Sequence, residues 1–229
     1  MDRGNYKMLI EYNINEVEIN KAYQNLYVDI GTIHGKRVLN GINAMINTST
    51  KNFTIDKFIL AFENNIANFI RMSLGQSITS VKQSLIKYLL EEVIKGRNEG
   101  LDMRQIAGNI KKLVNSRNFY RWQAMRIART ETTSAANYGA SIVSKESTIL
   151  LEKEWISAND ARVRRKPDSF YDHNELNGTR VGENESFNDN GSILRFPGDP
   201  DAAAGTRINC RCAMSLTAKL DQNGDFIFR

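Results

Sequence analysis

The sequence predicts an α+β protein: a mainly helical N-terminal region followed by a long helix packed on a small antiparallel sheet with long loops. Three observations predict it. Apolar residues recur at three- and four-residue steps through the first half. Residues 117–143 run without Pro. From residue 150 the pattern changes to short alternating segments divided by Asn-Gly and Pro-Gly turns. That change sets a boundary after residue 116, with a helical region over 1–116 and an α+β module over 117–229.

The opening fifty residues read as helix around Val17, Tyr23, Leu26 and Ile30. In IDKFILAFENNIANFIRMSL, the residues Phe58, Ile59, Phe62, Ile66, Phe69 and Ile70 line one face, and Thr54 or Asp56 offers an oxygen to cap the start. SVKQSLIKYLLEEVIKGRNEG gives the next helix, with Val81, Leu85, Tyr88, Leu89 and Val93 inward and the segment from Gly96 to Gly100 as its stop. Met103, Ile106, Ile110 and Leu113 mark another, with Asp102 where the helix dipole favours an acid.

The long helix from Arg117 to Val143 carries a polar stripe of Arg126, Arg129 or Thr130, Thr133 and Asn137 beside small residues such as Ala128, Ser134 and Ala135. For an isolated helix this reads first as a solvated face. The sharper reading is that small side chains admit another backbone, and that the Arg, Thr and Asn hold a neighbouring loop. ILLEKEWIS alternates like a half-buried strand, and the short segments after it, ending in TRINCRCAMSLTA, complete a small sheet.

Composition bounds the function. The chain has 229 residues, 41% of them hydrophobic, which suffices for a substantial core, and no apolar run approaches membrane-spanning length. Its opening residues lack the apolar stretch of a signal peptide, so the cytoplasm is the expected compartment. Two cysteines make no disulfide framework. The net charge of +5 lies wholly in residues 1–117, which hold 16 basic against 11 acidic residues, while 118–229 hold 15 of each. This excess is compatible with contact to DNA or with a merely soluble surface.

Five short motifs occur in a fixed order: ARTETTSAANYGA, KEWISANDARVR, HNELNGTRV, ESFNDNGSILRFPGDP and INCRC. Together, over roughly residues 115–216, they resemble the Mu F-like family of tailed-phage minor head proteins, also called head morphogenesis proteins. The resemblance implies a virion or procapsid protein of a phage or prophage. It would sit in the capsid interior or at the portal vertex in several copies, with the portal or major capsid protein as partner and packaged double-stranded DNA nearby. The positions that carry the resemblance are Arg129, Thr130, Glu131 and Asn137; Trp155, Asp160, Arg162 and Arg164; His173, Gly178 and Phe187; Pro197 and Gly198; and Asn209, Cys210, Arg211 and Cys212. Many members have a His where this chain has Arg207, and the segment RKPDSFYD is longer than the usual spacing.

A structural account of these positions is expected, with no catalytic residue and no cofactor. Asp160 would pair with Arg162, Arg164 or Arg129, or else with Arg211, for which Asp199 is the other candidate acid. Trp155, Phe187 and Phe196 would form a small core, and INCRC would be the closing strand with both thiols inward. Two chemical alternatives stand beside it. Zinc would need the quartet Cys210, Cys212, His173 and Asp160. An enzyme would need either a Cys–His pair or convergence of Glu131, Asp160 and Asp199 on magnesium. A DNA-binding protein carried inside the head is a further alternative, resting on the basic first half.

Overall fold

The computed structural model describes residues 16–46, 54–115 and 117–229. Five long helices come first: α1 (Glu16–Ile46), α2 (Ile55–Phe69), α3 (Gly75–Asn98), α4 (Met103–Asn115) and α5 (Arg117–Glu146). A π-helical turn, Ile70–Leu74, carries α2 into α3. The strands are β1 (Leu151–Ile156), β2 (Arg180–Gly182), β3 (Phe187–Asp189), β4 (Ser192–Leu194) and β5 (Ala213–Ala218), with the single-turn helix α6 (Ala204–Arg207) before β5. The α+β class read from the sequence is the observed one.

Local chemistry accounts for the helix ends. Thr54, not Asp56, caps α2, its Oγ1 accepting the Lys57 N–H at 3.3 Å. Asp102 and Gln105 exchange side chain-to-backbone hydrogen bonds of 2.8 Å each way at the start of α4, a reciprocal cap that satisfies two exposed donors. Gly100, at φ +71°, closes α3, and the Leu101 N–H returns to the Gly96 carbonyl at 2.9 Å. The inward positions expected for Val81, Leu85, Met103 and Leu113 concern side chains outside the described set.

Phe58, Phe62, Ile66, Phe69 and Ile70 are buried as the periodicity of α2 requires, and Ile59 is half-buried. Their partners lie largely on α1 and α5. Phe69 stacks on Tyr138 with ring centroids 3.7 Å apart, and Tyr27 and Phe196 tilt against Phe69 at 5.7 and 6.3 Å. This core continues into Leu151 of β1 and into Met214 and Leu216 of β5. The helical region and the strand module on either side of residue 117 therefore share one apolar core.

α1 and α5 make the most extensive contact between helices. They approach through glycine: a Cβ on Gly139 would overlap the carbonyl oxygen of Gly31 and lie 3.0 Å from its Cα. Gly31 in turn leaves room for the Phe62 ring. The small residues of α5 thus admit a second backbone, as the sharper sequence reading has it.

The main sheet is antiparallel in the order β2–β1–β5, with Trp155 opposite Met214 and Lys153 opposite Leu216. Alternation puts Leu151, Lys153 and Trp155 on the buried face with Met214 and Leu216. Lys153 is held there by the carbonyls of Glu185 and, at 3.1 Å, Arg195. Burial pushes its ammonium pKa down to about 8, with nearby Lys145 in the same direction. β3 and β4 form a hairpin whose Asn190 and Gly191 take φ of +48° and +89°, the left-handed pair that an Asn-Gly turn supplies.

Two expectations are corrected here. INCRC is not the closing strand: it is an irregular segment, and the strand begins one residue later at Ala213. Phe196 does not join Trp155 and Phe187 but packs in the aromatic core with Phe69 and Tyr138. The second core consists of Trp155, Leu176, Phe187, Leu194, Cys210 and Cys212, with Trp155 edge-on to Phe187 at 5.2 Å.

Candidate functional site

The polar stripe of α5 is the wall on which the site is built. Thr130 Oγ1 accepts the Asn209 N–H at 2.9 Å while donating to the Arg126 carbonyl. One turn on, Thr133 Oγ1 donates to the Cys210 carbonyl at 2.9 Å. A further turn along, Asn137 Nδ2 donates to the carbonyls of Cys212 and Pro197 at 3.1 and 2.9 Å, and its Oδ1 accepts the Met214 N–H at 2.8 Å. Arg129 reaches the Asn209 side chain at 3.2 Å. Steps of three and four residues on the helix thus match successive peptide groups of the INCRC segment, which has no ladder partner of its own. Thr130 and Asn137 are buried, so the solvated-face reading does not hold for this stripe.

With its carbonyls turned to α5, the segment turns both thiols the other way. Cys210 and Cys212 are 1% and 3% exposed and meet His173, itself 2% exposed. His173 Nδ1 lies 3.4 Å from Cys212 Sγ and 3.7 Å from Cys210 Sγ. On the far side of the ring, Nε2 is 2.8 Å from Thr206 Oγ1 and 3.2 Å from Asp189 Oδ2, and Thr206 also donates to Asp189. Asp189 Oδ1 accepts the Asp172 N–H at 2.8 Å. Trp155 covers the imidazole edge-on at 5.1 Å.

Electrostatics within the cluster are uneven. The Cys210 thiol hydrogen-bonds Cys212 and draws its pKa down to about 5, against burial and with help from His173. The same contact, with burial, pushes Cys210 well up. Burial would lower His173, but Asp189 and then Cys212 outweigh it and raise it. Burial would likewise raise Asp189, and the hydrogen bonds from His173, Thr206 and the Asp172 N–H bring it below its ordinary value. The arrangement sets two thiols beside an imidazole that is anchored by a carboxylate, in a shell closed by Trp155, Phe187, Leu176 and Leu194.

Asp160 does not belong to this cluster. It receives both guanidinium nitrogens of Arg211, each at 2.5 Å, and Arg162 approaches it at 3.5 Å. The expected quartet therefore reduces to His173, Cys210 and Cys212, the one set of at least three candidate ligands that converges among the described residues. Glu131, Asp160 and Asp199 form no such group. Glu131 accepts from Tyr27 at 2.9 Å with Arg207 4.0 Å away, and Asp199 is clasped by Arg195. Arg207 thus faces Glu131 on α5 rather than the thiols.

The remaining positions make backbone and packing contacts. Arg164 donates to the Ile208 carbonyl. Gly178, at φ +80°, closes the turn before β2 and sends its N–H to the Trp155 carbonyl at 2.8 Å. Gly198, at φ +81°, packs so that a Cβ would lie 3.2 Å from the Ser134 nitrogen. Asp189 and Thr206 were not anticipated. Asp189 had a signal, since it shares the inward parity of Phe187 in a short strand, whereas Thr206 sits in a single turn without periodicity.

The sequence model of the family described as Phage Mu protein F like protein matches residues 87–215, which is more than half of the chain. The match starts within α3 and takes in every residue of the cluster and of the α5 stripe. No curated protein and no solved structure matches the chain.

Proposed function

The chain belongs to the Phage Mu protein F like protein family, and from that premise we propose that it is a minor head protein of a tailed bacteriophage or prophage. It acts in head morphogenesis, present in several copies against the portal or the inner capsid, and its role is structural rather than catalytic. The observation that carries this reading is the family match over residues 87–215, which takes in α5, β1 to β4, the INCRC segment and the start of β5. The burial of the cluster supports a structural role, because a catalytic thiol has to meet its substrate. The basic excess in residues 1–117 supports contact with packaged DNA or an acidic partner surface.

Procapsids assembled with and without the portal protein test the placement. The protein co-purifies with portal-containing shells and is lost from portal-less ones on this reading; equal incorporation into both removes the portal as its anchor. DNA retention of the purified chain, measured across salt, tests the nucleic-acid part. Retention that weakens steeply with salt supports it, and absence of binding at low salt removes it.

A further inference from the structure

We propose that His173, Cys210 and Cys212 bind a zinc ion, with a water molecule in the fourth position. Whether the head partner is the portal or the shell does not enter this inference, which rests on the cluster alone.

The distances fit first. In a tetrahedral site with Zn–N of about 2.0–2.1 Å and Zn–S of about 2.3 Å, the nitrogen and each sulfur stand about 3.6 Å apart. His173 Nδ1 stands 3.4 and 3.7 Å from the two sulfurs, and the three donor atoms all lie within 4.8 Å of one another. One ion placed between them lies close to bonding distance of all three.

The imidazole is also presented as a ligand. Nε2 is engaged by Asp189 and Thr206, which leaves the Nδ1 lone pair directed at the sulfurs. A carboxylate on the distal nitrogen is the usual support of a zinc-bound histidine, fixing its tautomer and orientation.

Packing alone does not account for these groups. Two buried thiols behave as small apolar side chains and need no partners. A buried carboxylate and imidazole are costly to desolvate, and here both are aimed, in series, at the thiols. A divalent cation balanced by two thiolates supplies the charge that this chain of groups is arranged around. Soft sulfur with one imidazole selects zinc over magnesium or calcium. No fourth His, Cys, Asp or Glu joins the set among the described residues, and Asp160 is taken by Arg211. The indole N–H of Trp155, whose ring lies against His173, is buried without a hydrogen-bond partner, and a metal-bound water would offer it an acceptor.

The chain has two cysteines, so any thiolate-to-metal charge transfer reports this site and nothing else. Full-length protein is purified under reducing conditions, stripped of metal and titrated with Co(II). The expected result is one equivalent bound, with near-ultraviolet charge-transfer absorption and tetrahedral visible bands, both abolished by stoichiometric Zn(II). Cys210→Ser and Cys212→Ser each remove the charge-transfer band or weaken it with loss of stoichiometry. Asp189→Asn lowers affinity by about 10–100-fold with the stoichiometry kept, and Asp160→Asn leaves binding unchanged. Native mass spectrometry of the untreated protein shows the mass of one zinc. Reduced wild-type protein, with both thiols titratable after unfolding, that takes up no Co(II) would overturn the proposal, and so would a native mass two hydrogens short, which marks a disulfide. Because the wild type itself gives the readout, a variant that fails to fold does not rescue or sink the idea.

Discussion

The Oδ1 of Asn137 accepts the Met214 N–H at 2.8 Å, and through this contact the long helix holds the first turn of chain inside the closing strand. The same amide donates to two further carbonyls, so one buried side chain satisfies three peptide groups that no strand partner serves. Asn137→Ala leaves all three buried and unpaired. It is expected to lower stability by about 3 kcal/mol, given roughly 1–3 kcal/mol for each such group and partial rescue by water. Urea denaturation checks it, and a loss under about 1 kcal/mol would show that the amide is not the tie.

The glycine crossing of α1 and α5 gives a paired test. At Gly139 an added methyl meets the backbone of Gly31, which cannot swing aside as a side chain would. Gly139→Ala should cost about 1–3 kcal/mol as an overpacking defect. Gly41, also within α1 but with open space around its Cβ direction, is the control: Gly41→Ala should stabilise by about 0.5–1 kcal/mol through helix propensity. Equal effects at the two sites, read by thermal unfolding, would contradict the close crossing.

Acid pH should separate Asp160 from its neighbours. Arg211, then the Arg162 N–H, holds its carboxyl well below the usual carboxylate range. A depressed folded pKa contributes stability that is fully present above the unfolded value, about 3.9, and is lost as pH falls below it. The melting-temperature gap between wild type and Asp160→Asn should therefore be constant near neutrality and narrow below about pH 4. A gap independent of pH would mean that the Arg211 pair adds nothing in solution.

Thiol reagents should distinguish a closed cluster from an open one. Cys210 and Cys212 are nearly inaccessible, so in metal-stripped native protein both should react with a bulky disulfide reagent only as fast as the chain opens. Both should react at once in denaturant. Rapid labelling of one thiol under native conditions would place it at an accessible surface instead.

Much of this architecture could be read from the sequence because its causes are periodic. Phe58, Phe62 and Ile66 face inward because a helix repeats every three or four residues, and Asn190–Gly191 turns because only such a pair takes two left-handed conformations cheaply. The stripe of Thr130, Thr133 and Asn137 is visible too, but the choice between a solvated face and one that holds a neighbouring loop is not, since a polar face looks alike whether water or another chain segment binds it. That Asp160 pairs with an arginine is legible too, but nothing in an irregular loop says which of Arg129, Arg162, Arg164 and Arg211 takes it. Asp189 and Thr206 reach His173 from a hairpin and a single turn, an encounter that only the tertiary fold creates.

The Gly31–Gly139 crossing also bears on how such genes can exchange parts. An N-terminal segment taken from another phage and joined near residue 117 would have to bring its own small residue at that crossing and a matching aromatic set for Tyr138 and Phe196. Functional chimaeras are therefore expected to keep α1, α2 and α5 from one parent, because a break within α3 or α4 separates Gly31 and Phe62 from Gly139 and Tyr138. Inheritance of this protein is constrained where the backbones of Gly31 and Gly139 meet.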